Sequence, residues 1–168
     1  MTNVTMSHPG AADYDAIVSF PGFSIGVCSD DQAIIAIDFL EPCDERLGRQ
    51  PLAQAAVRQL HAYLKDPKHV FSLPLAPAGT DFQRKVWKGI TAIKPGKTRS
   101  YGELAETVKS SPRAVGNACG ANPYPLVVPC HRVVAANQGL GGFARQRGGF
   151  LLDVKRWLLQ HEADTRGR

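Results

Sequence analysis

The sequence predicts an α+β protein: a small N-terminal antiparallel sheet with a covering helix, then a mainly helical C-terminal domain with a winged-helix-like helix-turn-helix. Three observations lead there. Short β-rich runs separated by Gly and Asp turn signals fill the first forty or so positions, and apolar residues recur at helical spacing behind Pro51, Thr80 and Ser100. Charge is also segregated: residues 1–79 hold 5 Lys/Arg against 9 Asp/Glu, net −4, and residues 80–168 hold 15 against 6, net +9. A half this basic beside an acidic neighbour points to a polyanion, so DNA binding is assigned to the second half. The expected organisation is an α/β domain over 1–73, a linker at 74–79, and a DNA-binding and chemical domain over 80–168.

Ala16 to Phe20 reads as a strand, Pro21-Gly22 as a turn, and Phe23 to Cys28 as its partner. Ser29-Asp30-Asp31 is a second turn signal, and Gln32 to Phe39 is a third strand rich in isoleucine. Pro42 to Gln50 is a polar loop. Pro51 opens a helix to about Lys65, with Ala56, Val57, Leu60, Tyr63 and Leu64 on the face that covers the sheet. Thr80-Asp81-Phe82-Gln83 is a capping box, and Phe82, Val86, Trp87, Ile90 and Ile93 follow at helical spacing until Pro95-Gly96. Ser100-Tyr101-Gly102-Glu103 is a second capping box, with Tyr101, Leu104, Ala105 and Val108 on one face. Ser111 as N-cap and Pro112 at N1 start the third helix of the second half, to about Gly120, and the tight turn between the last two makes a helix-turn-helix. Gly139 to Gly149 reads as a mobile loop, and Phe150 to Glu162 as a last helix burying Phe150, Val154, Trp157 and Leu158, with a frayed tail to Arg168.

No apolar run approaches the roughly 18 residues of a membrane span, and Met1 to Gly10 lacks the pattern of a signal peptide, so a soluble intracellular protein is expected. Cys28, Cys43, Cys119 and Cys130 show no Cys-x-x-Cys spacing, which favours reduced thiols over disulfides.

Chemistry concentrates in Val127-Val128-Pro129-Cys130-His131-Arg132-Val133-Val134. The valines predict buried extended chain, and Pro129 restricts the residue before it, so the Cys130 thiol is expected at a buried, rigid corner. A free thiol with a pKa of about 8.5 needs a neighbouring base or cation, for which His131 and Arg132 are the candidates. Sequence neighbours diverge on a strand and on a helix alike, so His131 needs a bridging water or a turn to serve Cys130. For an arbitrary Cys-His pair, a buried structural cysteine beside a hydrogen-bonded histidine is the commoner arrangement.

Pro129-Cys130-His131-Arg132-Val133, preceded by Arg113-Ala114-Val115-Gly116 and Asn122-Pro123, resembles the active-site signature of the O6-alkylguanine-DNA alkyltransferases, or methylated-DNA-protein-cysteine methyltransferases. The likeness runs from about Thr80 to Glu162. It implies direct-reversal DNA repair, in which the alkyl group of a flipped O6-alkylguanine moves stoichiometrically and irreversibly to Cys130, with O4-alkylthymine left open. Trp157-Leu158-Leu159-Gln160-His161-Glu162 matches the family's Trp-Leu-Leu-x-His-Glu, whose glutamate completes a Cys-water-His-Glu relay. His131 is thereby the base acting through water, and Glu162 the group that orients it. Tyr101 sits at the family's tyrosine position and would donate a proton or hydrogen bond to the leaving guanine. Asn122 would hold the active-site turn, and Arg113 would be the finger that fills the emptied stack. Ala114, Asn117 and Gly120 complete the expected DNA-binding set.

The implied partner is double-stranded DNA with an alkylated guanine, bound without strong sequence preference, because the third helix offers only Arg113 and Asn117 to base edges. No membrane and no cofactor are expected. Some relatives carry a structural zinc, but Cys28, Cys43 and His8 form no recognisable ligand set, so no metal is assigned. The protein is expected to be a monomer in the cytoplasm, or in the nucleus of a eukaryote, with cooperativity on DNA left open. Gly142 to Gly149 is about five residues longer than the family's usual approach to the last helix, so no pocket residue is assigned there and the range of alkyl groups stays open. Cys130 argues against the catalytically dead alkyltransferase-like class. A DNA-binding regulator lacks a visible fused domain, and a thiol hydrolase would place its base far from the cysteine in sequence.

Overall fold

The computed structural model describes residues 13–136 and 149–163. The chain falls into two compact units: residues 1–61 with 73–76, and residues 62–72 with 77–168.

The first unit is built on a three-stranded antiparallel meander of β1 (Ala16–Phe20), β2 (Phe23–Ser29) and β3 (Ile34–Leu40), in the order β1-β2-β3. Gly22, at φ +87°, closes the two-residue turn that a side chain would strain, and the rings of Phe20 and Phe23 stack across it at 5.2 Å. The third strand starts two residues later than its composition suggests. Asp30 Oδ1 accepts from the backbone N–H of both Gln32 and Ala33 at 2.8 Å, which holds them in the turn. Nearly every residue of β1 and β2 is buried. The polar loop before the helix bridges one edge of the sheet, through Ile17 N to Arg46 O at 2.8 Å and the reverse bond at 2.9 Å. At the start of β3, Ile34 N donates to Pro74 O and Ala76 N to Ile34 O, so residues 74–76 of the expected linker are tied into this unit.

Helix α1 (Pro51–Lys65) carries Ala53, Ala56, Val57, Leu60 and Tyr63 as its buried stripe, while Leu64 is only half-buried. The division between units runs through this helix, and its last turn, with Tyr63, belongs to the second.

In the second unit, α2 (Asp81–Thr91) begins with both bonds of the capping box between Thr80 and Gln83. It stops at Thr91, short of the expected Pro95-Gly96 terminator; the Ala92 N–H already bonds Ile90 O. Val86, Trp87 and Ile90 are its buried side, and the Trp87 indole donates to Ala118 O at 2.8 Å. The short strand β4 (Arg99–Ser100) leads into α3 (Tyr101–Val108), again with a complete capping box, between Ser100 and Glu103. Lys109 takes the left-handed conformation at φ 58°, and Ser111 then caps α4 (Pro112–Gly120) by accepting from Ala114 N. That is the expected helix-turn-helix.

Strand β5 (Val133–Val134) pairs in parallel with β4, tying the chain after the reactive motif to the entry of α3. Helix α5 (Phe150–Ala163) buries Leu152, Val154, Lys155, Leu158 and Glu162. Two expected core residues, Phe150 and Trp157, are only half-buried; Trp157 stacks on His161 with ring centres 4.6 Å apart. Residues 139–148 of the expected mobile loop, the tail from Asp164 and His8 lie outside the described residues. Among the described residues no helix is long and apolar enough to cross a membrane, and no group of three or more His, Cys, Asp or Glu could hold a metal.

The entry to α2 tests the packing. Gly79 has φ +83°, and a Cβ there would lie 2.6 Å from the buried Trp87 ring, whose indole is held by Ala118. Gly79→Ala should lower the unfolding free energy by about 1–3 kcal/mol in denaturant titration; an unchanged midpoint would mean that the ring yields freely.

Candidate active site

The reactive turn is made from the backbone outward. The valine-rich run is not extended through Cys130 as expected. Pro129, at φ −80° and ψ 66°, forms an inverse γ-turn closed by Cys130 N to Val128 O at 2.8 Å. Cys130–Arg132 then winds into a 3-10 turn, and only Val133–Val134 is strand. Just upstream, the buried Leu126 has φ 78°, a left-handed backbone that leucine rarely adopts. Asn122 stabilises this corner: its Oδ1 accepts from Tyr124 N at 2.9 Å, and its Nδ2 donates to Val128 O at 2.9 Å and to Cys130 Sγ at 3.2 Å. One amide thus links the loop after α4 to the sulfur itself.

The turn sends neighbouring side chains to different tasks. His131 is 0% exposed, and its Nε2 lies 2.7 Å from Oε2 of Glu162, which is 1% exposed. Arg132 donates from Nε to Glu162 Oε1 at 2.8 Å and from Nη2 to Oε2 at 3.0 Å, and its Nη1 donates to Ile93 O at 2.6 Å. The Tyr63 hydroxyl donates to the same Oε2 at 2.6 Å. Burial alone would raise the Glu162 carboxyl, but His131 and Arg132 outweigh it and hold the group well below the usual carboxylate range. With Glu162 ionised and accepting, His131 must donate through Nε2. Burial lowers the imidazole pKa against the pull of Glu162, so the ring is neutral, protonated at Nε2, with its lone pair at Nδ1. Nδ1 is buried and has no protein partner among the described residues. It is the atom able to take a proton.

The sulfur has its own surroundings. Cys130 is buried and hydrogen-bonded with Cys119. That bond and burial push the Cys130 thiol well above its ordinary value, while the Asn122 amide and Lys155 act against them. Lys155 is 0% exposed; its Nζ donates to Val133 O at 2.8 Å and lies 5.9 Å from the centre of the Tyr101 ring. Burial pulls its pKa down to about 8, opposed by Cys119 and Cys130. Arg132, one of the two candidates for activating the thiol, is therefore committed to Glu162, and Lys155 is the cation coupled to the sulfurs.

The structure bonds Asn122 to Cys130 and His131 to Glu162, and the two pairs meet at the peptide link between residues 130 and 131. Tyr101, at the start of α3, is half-buried, beside Lys155 and 4.0 Å from where a Cβ of Gly116 would stand. Arg113 and Asn117 are exposed one helical turn apart on α4, with Ala114 and Gly120 half-buried. Tyr63, Lys155 and Cys119 were not anticipated as parts of this site. Lys155 carried a signal, since it shares helical spacing with Leu158 and Glu162 on a face that must be apolar or paired. Tyr63 and Cys119 carried none beyond an apolar stripe.

Comparison with known proteins identifies the family. Residues 81–164 match the model of the 6-O-methylguanine DNA methyltransferase DNA-binding domain. The chain is 36% identical over 162 residues to a methylated-DNA–protein-cysteine methyltransferase of Methanosarcina mazei, covering 90% of this chain and 98% of the relative. It also resembles the crystal structure of Mycobacterium tuberculosis O6-methylguanine methyltransferase, with a TM-score of 0.73 and 33% identity over 88% of this chain and 91% of that one. A second structure from that organism, of OGT in complex with DNA, matches with a TM-score of 0.72 at the same identity and the same coverage of both chains. A likeness that spans nearly the whole of both chains, on a fold that holds a buried Cys130, His131 and Glu162, means that this chain belongs to the methylated-DNA–protein-cysteine methyltransferase family.

Proposed function

We propose that the protein repairs O6-alkylguanine in double-stranded DNA by moving the alkyl group, once and irreversibly, onto its own Cys130. The observation that carries this reading is the buried His131, next in sequence to Cys130: its Nε2 is committed to an ionised Glu162, which leaves Nδ1 able to take a proton from a thiol that the Cys119 hydrogen bond and burial keep protonated. A thiol held neutral until substrate arrives does not react with stray electrophiles. When the alkyl carbon is presented, Cys130 Sγ forms the new S–C bond as the C–O6 bond breaks, and the thiol proton passes through water to His131 Nδ1. The imidazolium that results is stabilised by a carboxylate already in place, so no group has to reorganise. The guanine leaves with its electron pair on O6, where a hydrogen bond or proton from Tyr101 balances the developing charge. Asn122 holds the sulfur and the turn in register for the attack.

O6 is inside the duplex, so the nucleotide must be flipped out. Arg113, exposed at the start of α4, is proposed to enter the emptied stack. Ala114, Gly116 and Gly120 leave that helix bare enough for close backbone approach, and Asn117 is its other long polar side chain. Binding is then dominated by phosphates and nearly indifferent to sequence. The protein is proposed to act as a cytoplasmic monomer, nuclear in a eukaryote, without a cofactor. O4-alkylthymine presents the same alkyl-oxygen bond and is the second substrate to try.

A thioether has no good leaving group, and neither His131 nor Glu162 can clear it. With excess alkylated oligonucleotide, product should plateau at one equivalent per chain, with the added mass on the peptide that contains Cys130. Cys130→Ser should bind DNA and transfer nothing. Turnover beyond one equivalent, or label on Cys28, Cys43 or Cys119, would refute the reading. Arg113→Ala should slow repair of duplex DNA by about 10–100-fold, the scale of an unstacking cost of a few kcal/mol, while reaction with the free O6-alkylguanine base changes by less than about twofold. Equal losses on both substrates would remove the finger role. DNA affinity should fall with salt at a log–log slope of roughly −0.9 per phosphate neutralised; a flat dependence would rule out the phosphate-led mode.

A further inference from the structure

We propose that Tyr63 is a positioning residue for alkyl transfer: its hydroxyl, bonded to Glu162 Oε2, fixes the carboxylate and tempers its pull on the His131 imidazole. The inference rests on the transfer reading above, and it extends the working site beyond the 81–164 segment that matches the family model, to the last turn of α1.

Tyr63 and Glu162 are both essentially excluded from water, at 0% and 1% exposure, and their oxygens are 2.6 Å apart. Oε2 is a shared acceptor: Tyr63, His131 Nε2 and Arg132 Nη2 all donate to it. Donors to one oxygen compete, because each draws electron density that the others would use. Removing the phenol leaves Oε2 a stronger acceptor for His131, which favours the imidazolium and raises the pH at which the ring becomes charged. A base must be neutral before it reacts, so Tyr63 keeps His131 available at lower pH.

The phenol is suited to that task. Burial, then the Glu162 charge, hold its pKa far above the ordinary tyrosine value, so it remains a donor at any pH the protein meets. Its ring is set between Phe71, centroid 5.6 Å away, and His161, 5.1 Å away edge-on, and its backbone carbonyl lies 2.9 Å from His161 Nε2. The titratable and charged groups facing this cluster are His131 and Arg132 from the reactive turn, Glu162, His161 and Lys155 from α5, and, beyond Lys155, the thiols of Cys119 and Cys130. Tyr63 donates to Oε2 without titrating, and removing its hydroxyl alters no formal charge.

Tyr63→Phe keeps the ring and deletes only the hydroxyl. The test is the single-turnover rate of transfer from free O6-benzylguanine to Cys130 between pH 5 and pH 9, for wild type and variant, together with the His131 imidazole titration followed by 15N NMR. The acid limb and the His131 midpoint should both move up by about half to one pH unit, so that transfer slows by about 3–10-fold below the wild-type midpoint and by less than about twofold on the alkaline plateau. A protein carrying 3,5-difluorotyrosine at position 63, a stronger donor in the same ring, should move both in the opposite direction. A rate loss that is uniform with pH, with neither midpoint displaced, would reduce Tyr63 to a packing residue and overturn the proposal. If the phenylalanine variant does not fold, the fluorinated protein decides alone. Should the wild type transfer nothing to Cys130 from O6-methylguanine in duplex DNA either, the functional reading fails, yet the His131 titration needs no substrate and still judges Tyr63.

Discussion

A carboxylate taken out of water must be fully paired, and Glu162 is that carboxylate. An isolated buried charge costs several kcal/mol, and attraction repays it only when donors surround the group in good geometry. Tyr63 from α1, His131 and Arg132 from the reactive turn supply those donors, and α5 delivers Glu162 to them. The same requirement explains why Arg132 is inside at all, and why its remaining nitrogen is held by Ile93 O just beyond α2. Segments far apart in sequence are therefore held at one point by electrostatics as much as by apolar packing. That pairing also selects the histidine tautomer, since an ionised acceptor at Nε2 leaves only Nδ1 to receive a proton.

Rigidity at the sulfur comes from backbone geometry. Pro129 in an inverse γ-turn, Leu126 in a left-handed conformation and a one-turn 3-10 helix are each unfavourable or short-lived in isolation. They persist because Asn122 occupies Val128 O and Tyr124 N, and because β5 is pinned to β4 immediately afterwards. The turn divides neighbouring side chains: Cys130 remains with Asn122 and Cys119 while His131 and Arg132 point to Glu162. The helix-turn-helix is joined to this corner at two places, through the pairing of Arg99-Ser100 with Val133-Val134 and through the short run from Gly120 to Asn122. A displacement of α4 would thus be felt at the sulfur.

Most of the chain's secondary structure was legible in its residues because the signals were local. Both capping boxes, the Pro21-Gly22 turn, the N-cap at Ser111 and the start of α1 at Pro51 depend on neighbours within three or four positions, and each formed as expected. The errors arose where a side chain overrode a backbone propensity. Asp30 drew Gln32 and Ala33 into a turn, and the valines around Cys130 lost their extended geometry to Pro129 and Asn122. The family resemblance named Cys130, His131, Glu162 and Asn122 as a set, and in the structure Asn122 bonds Cys130 while His131 bonds Glu162.

By itself the sequence determined the α+β class, the helix-turn-helix, the segregation of acidic and basic halves and the Cys130-His131 motif that marks the family, because periodicity, caps, charge and a specific motif are all written in adjacent residues. Only the tertiary structure decided what surrounds that pair. Tyr63 reaches Glu162 across 99 positions, Lys155 reaches Val133 across 22, and Arg132 chooses Glu162 over the thiol. Such choices depend on which polar groups are left together when water is removed, and burial is a property of the folded chain rather than of any stretch of it.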